Sequence, residues 1–256
     1  MAAHNGYFNF HELFILPTNV PANEFLNLEG QKMSTSRHWA VWLHEYLEDF
    51  PDNEDILRYC LITIMPENKD ADFSWLDFQN KNNTELVANL GNFINRVFVL
   101  QHKYFEGIVH QHQEFSTQSQ AVFKKVDKIV TEIEKAIEHY NFKEGMQKVM
   151  EISRLGNTYL AQSEPWKLIK TNPALTQDIL TTVTILIQKI SVVIMPFMPK
   201  VAHKIRLMLG LQITNINWND NEGLLKLALP TLLFNKIDDE TIMEQIFKLN
   251  KVKGEF

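Results

Sequence analysis

Apolar residues recur with a helical period through most of the chain after about residue 79. In residues 119–142, lysines and glutamates occupy one helix face and apolar residues share the other. The apolar residues are Val122, Val126, Ile129, Ile133 and Ile137. Similar patterns predict further helices over residues 83–105, 142–162, 165–170, 173–199 and 200–211. Wide apolar stripes joined by short polar turns are typical of an antiparallel helix bundle, so the predicted fold class is mainly α.

The part of the chain before this pattern has shorter apolar stretches interrupted by prolines. Residues 14–28 predict strand and loop, and Glu29-Gly30 predicts the turn of a hairpin. Residues 67–78 predict a loop with a short strand. We therefore expect a small α/β segment ahead of the bundle.

Two short helices are predicted within that segment. The spacing of its large apolar residues predicts one over residues 37–50, with Ser34 or Ser36 as its N-cap. A second is predicted to end before Pro66. The long helix from residue 83 is expected to begin at its own Asn/Thr cap.

The pattern divides the chain into three predicted parts. Residues 1–77 contain the polar loop and the small α/β segment, residues 78–233 form the bundle, and residues 234–256 form a C-terminal strap or linker. The start, residues 1–13, lacks the basic and apolar stretches of a signal peptide. The most apolar run, residues 179–198, contains a glutamine, a lysine and a proline, which favours a buried helix over a membrane span.

Composition limits the possible partners and metals. The 256-residue chain has a formal charge of −6, which argues against broad nucleic-acid binding through a basic surface, so any such contact must be local. The single cysteine, Cys60, excludes an internal disulfide and a cysteine-based zinc site and fits a cytoplasmic protein. His110 and His112 have no nearby acidic partner that would complete a ligand set, so we predict no metal site.

The stretch GQKMSTSR, residues 30–37, places one lysine among small hydroxyl residues after a glycine turn. The ammonium of Lys32, the hydroxyls and the N-terminus of the helix expected next are all suited to phosphate. From spacing alone, an ordinary exposed polar loop is the more common explanation.

Residues 32–36, KMSTS, resemble the KMSKS signature of class I aminoacyl-tRNA synthetases, and the similarity to methionyl-tRNA synthetases continues through NLGNFINR to SEPWKL. The resemblance implies a mobile loop that closes over ATP and consists of Lys32, Met33, Ser34, Thr35 and Ser36. Thr35 stands where the family has its second lysine, so it can donate a hydrogen bond but brings no charge. Lys32 would then supply the electrostatic stabilisation, with help from Arg37.

Two stretches carry side chains suited to exposed bases. Asn92 and Arg96 are four residues apart on a predicted helix and so share a face, and their amide and guanidinium groups suit base edges. Trp166 follows Pro165 at the start of a short helix, where an indole can stack on a base. The alternatives are a solvated helix face and a core tryptophan. The resemblance implies that these three residues read the CAU anticodon of tRNA(Met), with Asn89 flanking them.

The resemblance also defines what the chain lacks. No His-x-Gly-His stretch is present, whereas the family carries such a motif in a Rossmann-type catalytic domain with a zinc-bearing insertion. The chain therefore resembles the C-terminal part of such an enzyme, inactive alone, with methionine, ATP and Mg²⁺ bound only alongside the missing domain. The resemblance also implies that residues 37–77 are a small α/β stem-contact region that links the active site to the bundle. A valyl, leucyl or isoleucyl synthetase and a non-catalytic helical module remain the alternatives.

Overall fold

A computed structural model of the protein describes residues 17–109, 114–212 and 225–253. The strands are β1 (Leu26–Leu28), β2 (Gln31–Lys32), β3 (Ala71–Phe73), β4 (Ile108–Val109) and β5 (Leu225–Lys226). The helices are α1 (Leu43–Asp49), α2 (Glu54–Thr63), α3 (Trp75–Asn80), α4 (Asn92–Phe105), α5 (Thr117–Glu138), α6 (Phe142–Ser163), α7 (Pro165–Leu168), α8 (Pro173–Val193), α9 (Pro199–Met208) and α10 (Asp239–Lys253). A π-helical stretch, Lys81–Gly91, lies between α3 and α4 and is called the π segment below. The mainly α fold class is confirmed.

The hairpin predicted at Glu29-Gly30 is present. β1 and β2 pair antiparallel, and both turn residues have positive φ, 47° and 71°, as a tight two-residue hairpin turn requires. The Gly30 N–H donates to the Asp72 carboxylate at 2.8 Å, and the Trp75 N–H donates to the Glu29 carboxylate at 2.8 Å. β3 pairs parallel with β1, so the predicted strand within residues 67–78 is confirmed.

The helix expected over residues 37–50 begins later than predicted, and neither serine caps it. Ser34 and Trp39 instead form an antiparallel bridge, with each backbone N–H donating to the other carbonyl at 2.9 Å, and α1 begins at Leu43. The Trp39 indole N–H donates to the Leu28 carbonyl at 3.0 Å, and the ring is buried against the hairpin. Trp39 therefore contributes to the apolar spacing from a loop, whereas Tyr46 is buried on α1 itself.

The bundle is built on the long hairpin of α5 and α6, which a three-residue turn joins, and α8 packs against both helices. Most side chains of α8 are buried, which explains why its sequence is apolar nearly all round. α8 ends at Val193, before Pro196, and α9 follows from Pro199. The helices predicted for residues 119–211 are confirmed, with ends that differ by a few residues.

The run Trp75–Phe105 is helical from end to end, but it includes the π segment and begins earlier than expected. Ser74 caps it by accepting the Asp77 N–H at 3.1 Å, so the predicted Asn/Thr cap is wrong. The predicted boundary at residues 77 and 78 falls inside α3. The three-part division of the chain stays a prediction.

The C-terminal part returns along the bundle to the small α/β segment. β5 pairs with β4, and the Ile237 backbone then exchanges two hydrogen bonds with the Asn83 amide, at 2.8 and 2.9 Å. At α10, Lys248 Nζ lies 2.6 Å from the Asp49 carboxylate, and the Gln245 amide donates to it at 2.9 Å. The helix predicted within this strap is confirmed. Among the helices of the described ranges, none is long and apolar enough to cross a membrane.

The small α/β segment is also attached directly to the bundle through α2. The Arg58 guanidinium donates to the Phe197 carbonyl at 2.7 Å. The buried Asp55 carboxylate accepts the Val201 N–H of α9 at 2.7 Å. The polar loop of residues 32–36 is thus held on a segment that is fastened to the bundle at two places.

Candidate nucleic-acid interface

The corner after α6 determines where Trp166 lies. Glu164 ends α6 in the left-handed region, φ 41° and ψ 55°, which a non-glycine residue rarely adopts, and Pro165 begins α7 directly afterwards. Pro165 is buried, whereas Trp166 is half-buried and packs against the edge of the core. The backbone strain at Glu164 is therefore located beside a candidate site residue, where such strain is commonly found.

Arg96 and Trp166 are brought together across the bundle. The Arg96 Cζ atom lies 4.5 Å from the centroid of the indole ring, within cation–π range. Arg96 is exposed, so the guanidinium and the indole form an accessible pair at the protein surface. Such a contact contributes about 0.5–1 kcal/mol at exposed sites.

Asn92 lies one turn before Arg96 on the exposed side of the same helical run. Its amide nitrogen is 3.3 Å from the Ala88 carbonyl, a long hydrogen bond to its own helix. Asn89 differs, because its side-chain oxygen accepts from Ser153 at 3.3 Å and from Asn157 at 3.0 Å, both on α6. The predicted flanking residue Asn89 therefore contacts a neighbouring helix.

A hydrogen bond between Tyr59 and Glu85 joins α2 to the π segment. The Tyr59 hydroxyl donates to the Glu85 carboxylate at 2.5 Å. Burial raises the pKa of the Tyr59 phenol, and the bond to Glu85 raises it further, so the phenol keeps its proton. This buried donor supports the helical run that carries Asn92 and Arg96.

The chemistry available around Trp166 suits a single-stranded nucleic acid. An indole offers a flat face for stacking, a guanidinium offers a planar fork of donors, and an asparagine amide offers a donor and an acceptor together. Unpaired RNA bases are usually recognised by this combination of stacking and hydrogen bonds to base edges.

The polar loop lies on the small α/β segment and presents its donors to solvent. Lys32 is exposed, with Nζ 5.6 Å from the Phe25 ring centroid, and the Ser34 and Ser36 hydroxyl oxygens are 3.2 Å apart. The Arg37 Nε donates to the Ser34 hydroxyl at 3.4 Å, while Met33, Thr35 and Ser36 are exposed. Because α1 begins only at Leu43, the expected contribution of a helix N-terminus to this loop is wrong.

Sequence reasoning missed the residues of α6 that face the π segment. Ser153 and Asn157 bond to Asn89, and Gly156 lies where a Cβ atom would come within 2.2 Å of the Phe93 ring. Three small or amide residues on the otherwise apolar inward face of α6 were the available signal.

The described ranges contain no cluster of metal ligands, and their cysteine is buried. Within them, no three His, Cys, Asp or Glu side chains form a cluster suited to a metal ion. His110, His112 and Trp218 lie outside the described residues. Cys60 is buried in α2, and burial raises the pKa of its thiol to about 12.

Two family models match the chain. Residues 6–98 match "tRNA synthetases class I (M)", and residues 109–252 match "Anticodon binding domain of methionyl tRNA ligase". The candidate loop falls in the first match and Trp166 in the second, while Asn92 and Arg96 lie near the end of the first.

Curated relatives agree with these matches. A "Methionine--tRNA ligase" of Flavobacterium psychrophilum is 47% identical over 247 residues, which is 94% of this chain and 36% of that protein. A protein of the same name from Bacteroides fragilis is 46% identical over 246 residues, again 94% of this chain and 36% of the relative. The chain therefore spans little more than a third of the length of these relatives.

Solved structures show the same fold. The apo methionyl-tRNA synthetase of Mycobacterium tuberculosis aligns with a TM-score of 0.74 at 21% identity, over 85% of this chain and 43% of that one. The same enzyme in complex with methionyl-adenylate aligns with a TM-score of 0.74 at 24% identity, over 83% and 43% of the two chains. The relatives' names do not favour the valyl, leucyl or isoleucyl alternative or the non-catalytic module. The chain belongs to the methionyl-tRNA synthetase family of class I tRNA synthetases.

Proposed function

We propose that this chain is the anticodon-reading and ATP-loop portion of a methionine–tRNA ligase, which makes methionyl-tRNA from methionine, ATP and tRNA. The observation that carries the proposal is the pairing of Arg96 with the half-buried indole of Trp166, 4.5 Å apart, on a fold shared with methionyl-tRNA synthetases. The names of the relatives support methionine as the amino acid. The activity of the whole enzyme is part of the proposal, because the chain spans 36% of those relatives.

Each residue of the anticodon site has a proposed role. Trp166 stacks on an unpaired base of the CAU anticodon of tRNA(Met), which is worth about 1–3 kcal/mol. Arg96 and Asn92 donate to base edges from one exposed helix face. Because these contacts read bases and not phosphates, they are compatible with a chain of formal charge −6.

The loop Lys32, Met33, Ser34, Thr35 and Ser36 has a proposed role in amino-acid activation. In that step the methionine carboxylate attacks the α-phosphorus of ATP, the bond to the β-phosphate breaks, and pyrophosphate leaves. Lys32 stabilises the negative charge on the departing group, and the Thr35 hydroxyl donates a hydrogen bond to it. The loop's donors suit phosphate oxygens, whereas the Mg²⁺ that accompanies ATP prefers carboxylate and water oxygens, so we assign no Mg²⁺ ligand among the described residues.

The proposal includes the context of the enzyme. Methionine and ATP bind together with the catalytic domain, residues 1–77 carry the loop, residues 78–233 read the anticodon, and residues 234–256 form the strap. The single cysteine fits a cytoplasmic enzyme kept in reducing conditions.

Binding of this chain to tRNA tests the anticodon role. We expect a tRNA transcript with a CAU anticodon to bind more tightly than the same transcript with altered anticodon bases. Trp166→Ala should weaken CAU binding about tenfold or more, because the stacking contact is lost. Trp42→Ala is a matched control, since Trp42 is also half-buried but lies on the small α/β segment.

The result can contradict the proposal in two ways. Equal affinity of the unmodified chain for every anticodon would exclude anticodon reading by this site. An equal loss for Trp42→Ala and Trp166→Ala would show that the indole of Trp166 has no specific part in binding.

A further inference from the structure

The side chain of Asn157 on α6 donates a hydrogen bond to a backbone carbonyl near the end of the π segment. Its amide nitrogen donates both to the Asn89 backbone oxygen, at 3.2 Å, and to the Asn89 side-chain oxygen, at 3.0 Å. The same Asn89 backbone oxygen also accepts the N–H of Asn92. Asn157 therefore bonds to the peptide group that holds the backbone of a candidate base-reading residue.

The neighbouring residue of α6 brings the two helices unusually close at this point. A Cβ atom on Gly156 would lie 2.2 Å from Cζ of Phe93, which is fully buried, so only glycine fits there. Gly156 and Asn157 thus contact residues on both sides of the junction between the π segment and α4, Phe93 and Asn89. Packing and hydrogen bonding act together at one place.

The position of the junction between the π segment and α4 determines the direction in which Asn92 and Arg96 point. A π turn closes with i→i+5 hydrogen bonds and so holds more residues than an α turn. Moving the junction by one or two residues would rotate α4, and with it Asn92 and Arg96, about the helix axis. Arg96 would then leave its place 4.5 Å from the Trp166 ring centroid.

Asn157 also lies on the helix that leads to Trp166. α6 ends at Ser163, and the left-handed Glu164 and buried Pro165 connect it directly to the indole. The Asn157 side chain therefore links the π segment, which runs directly into the helix of Arg96, to α6, which leads directly to the short helix of Trp166.

We propose that Asn157 is a positioning residue for anticodon recognition, which fixes the end of the π segment so that Asn92 and Arg96 face the base stacked on Trp166. This rests on the function proposed above. Asn157 acts through the Asn89 carbonyl and need not touch the RNA itself.

The test compares Asn157→Asp with Thr158→Ala in the full chain. The aspartate keeps the shape of the side chain but replaces the donating amide by a carboxylate oxygen, which repels the Asn89 oxygens. Thr158 is the matched control, because its exposed hydroxyl donates to the Arg154 carbonyl of α6 at 2.9 Å. The measured quantity is the ratio of dissociation constants for transcripts with an altered anticodon and with CAU.

We expect Asn157→Asp to reduce that ratio by about fivefold or more, and Thr158→Ala to leave it unchanged. A smaller reduction for Asn157→Asp, or an equal one for both variants, would overturn the inference while leaving the proposed function intact. An unmodified chain that does not discriminate between anticodons would instead contradict the proposed function.

A second measurement separates positioning from a general loss of stability. In the chain labelled with 5-fluorotryptophan, the ¹⁹F NMR signal of Trp166 can be assigned with Trp166→Phe, and it reports on the nearby Arg96 guanidinium. We expect Asn157→Asp to shift this signal and to leave that of Trp75, which is buried at the start of α3, in place. If Asn157→Asp does not fold, Ser153→Ala, which removes the other donor to the Asn89 side chain, should shift the Trp166 signal; an unmoved signal would contradict the inference.

Discussion

The pairing of Arg96 with Trp166 has a consequence for base recognition at the level of single residues. The guanidinium lies over the ring at 4.5 Å from its centroid, so a base that stacks on the same face takes its place. In the proposed recognition, the displaced guanidinium stays beside the base and donates to its edge. The exchange of one stacking partner for another costs little free energy, because the cation–π contact contributes only about 0.5–1 kcal/mol at an exposed site.

Lys32 is the one residue of its loop that carries a full charge, and a substitution there tests its role in activation. In the full-length enzyme, Lys32→Ala should slow methionyl-adenylate formation by about a hundredfold or more, because a charge-stabilising donor is lost in the transition state. Methionine binding should change little. Pre-steady-state adenylate formation and methionine titration measure the two quantities, and equal losses in both would contradict the assignment.

Cys60 should be unreactive in the folded chain. Its thiol is 1% exposed, and burial raises its pKa to about 12, so almost no thiolate is present at pH 8. We expect reaction with a thiol-specific reagent to be far slower in the native chain than in denaturant, which absorbance kinetics can measure. Rapid labelling of the native chain would show that α2 opens readily.

At the level of elements, the helical period predicted most of the bundle but not its irregular parts. α5, α6 and α9 each bury one wide apolar face and α8 is apolar nearly all round, so their patterns alone located them within a few residues. The late start of the helix predicted over residues 37–50 has a physical cause, because Trp39 is buried in the loop before α1, where its indole N–H donates to a carbonyl in β1. Tertiary contacts overrode the local pattern there.

The π segment could not be predicted for a related reason. Amide side chains along it bond to other parts of the chain, Asn82 and Asn83 to the strap near residues 235–237 and Asn89 to α6. Because these partners are distant in sequence, the periodicity of apolar residues does not indicate them. The sequence singled out Asn92, Arg96 and Trp166 one at a time, but their geometry depends on this segment and on the left-handed Glu164.

The contact between α10 and α1 should weaken in acid. Burial acts to raise the pKa of Asp49, but hydrogen bonds from Lys248 and Gln245 together hold that pKa below its usual range. A depressed carboxyl pKa stabilises the folded contact above the unfolded value, about 3.9, and this stabilisation is lost as the pH falls through the folded value. Hydrogen exchange in α10, corrected for the intrinsic effect of pH, should therefore rise below about pH 4.

Two variants check that assignment. Asp49→Asn should remove most of the pH dependence of exchange in α10, because no carboxylate remains to titrate. Glu132→Gln is the matched control, since Glu132 pairs with Lys148 between α5 and α6 at 2.7 Å and lies away from α10. A pH dependence that persists in Asp49→Asn would assign the effect to another group.

At the level of the whole molecule, the two candidate sites lie on parts of the chain that are joined at several points. Arg58 and Asp55 of α2 bond to the loop before α9 and to α9 itself, and α10 bonds back to α1. The small α/β segment is thus attached to the rest of the chain both through α2 and through the contact of α1 with α10. These contacts, together with the Tyr59–Glu85 hydrogen bond and the continuous helical run Trp75–Phe105, connect the two candidate sites and are the place to test coupling between them.

The chain by itself should not activate methionine. It spans 36% of its curated relatives and contains no His-x-Gly-His stretch, so we expect no methionine-dependent exchange of pyrophosphate into ATP above a blank. A full-length relative serves as the positive control. Exchange by the isolated chain would show that residues assigned here to other roles can bind ATP and methionine.

The burial of Trp39 against β1 also limits how the loop of residues 32–36 can move. The bridge between Ser34 and Trp39 holds both ends of residues 35–38, so a movement that keeps the bridge is confined to these four residues. Lys32 lies outside them, paired with Asn27 in the hairpin, whereas Thr35 and Arg37 lie within them. While the bridge holds, the ammonium of Lys32 can approach a phosphate only by extending its own side chain, and a movement of the backbone carries the hydroxyls together with the Arg37 guanidinium.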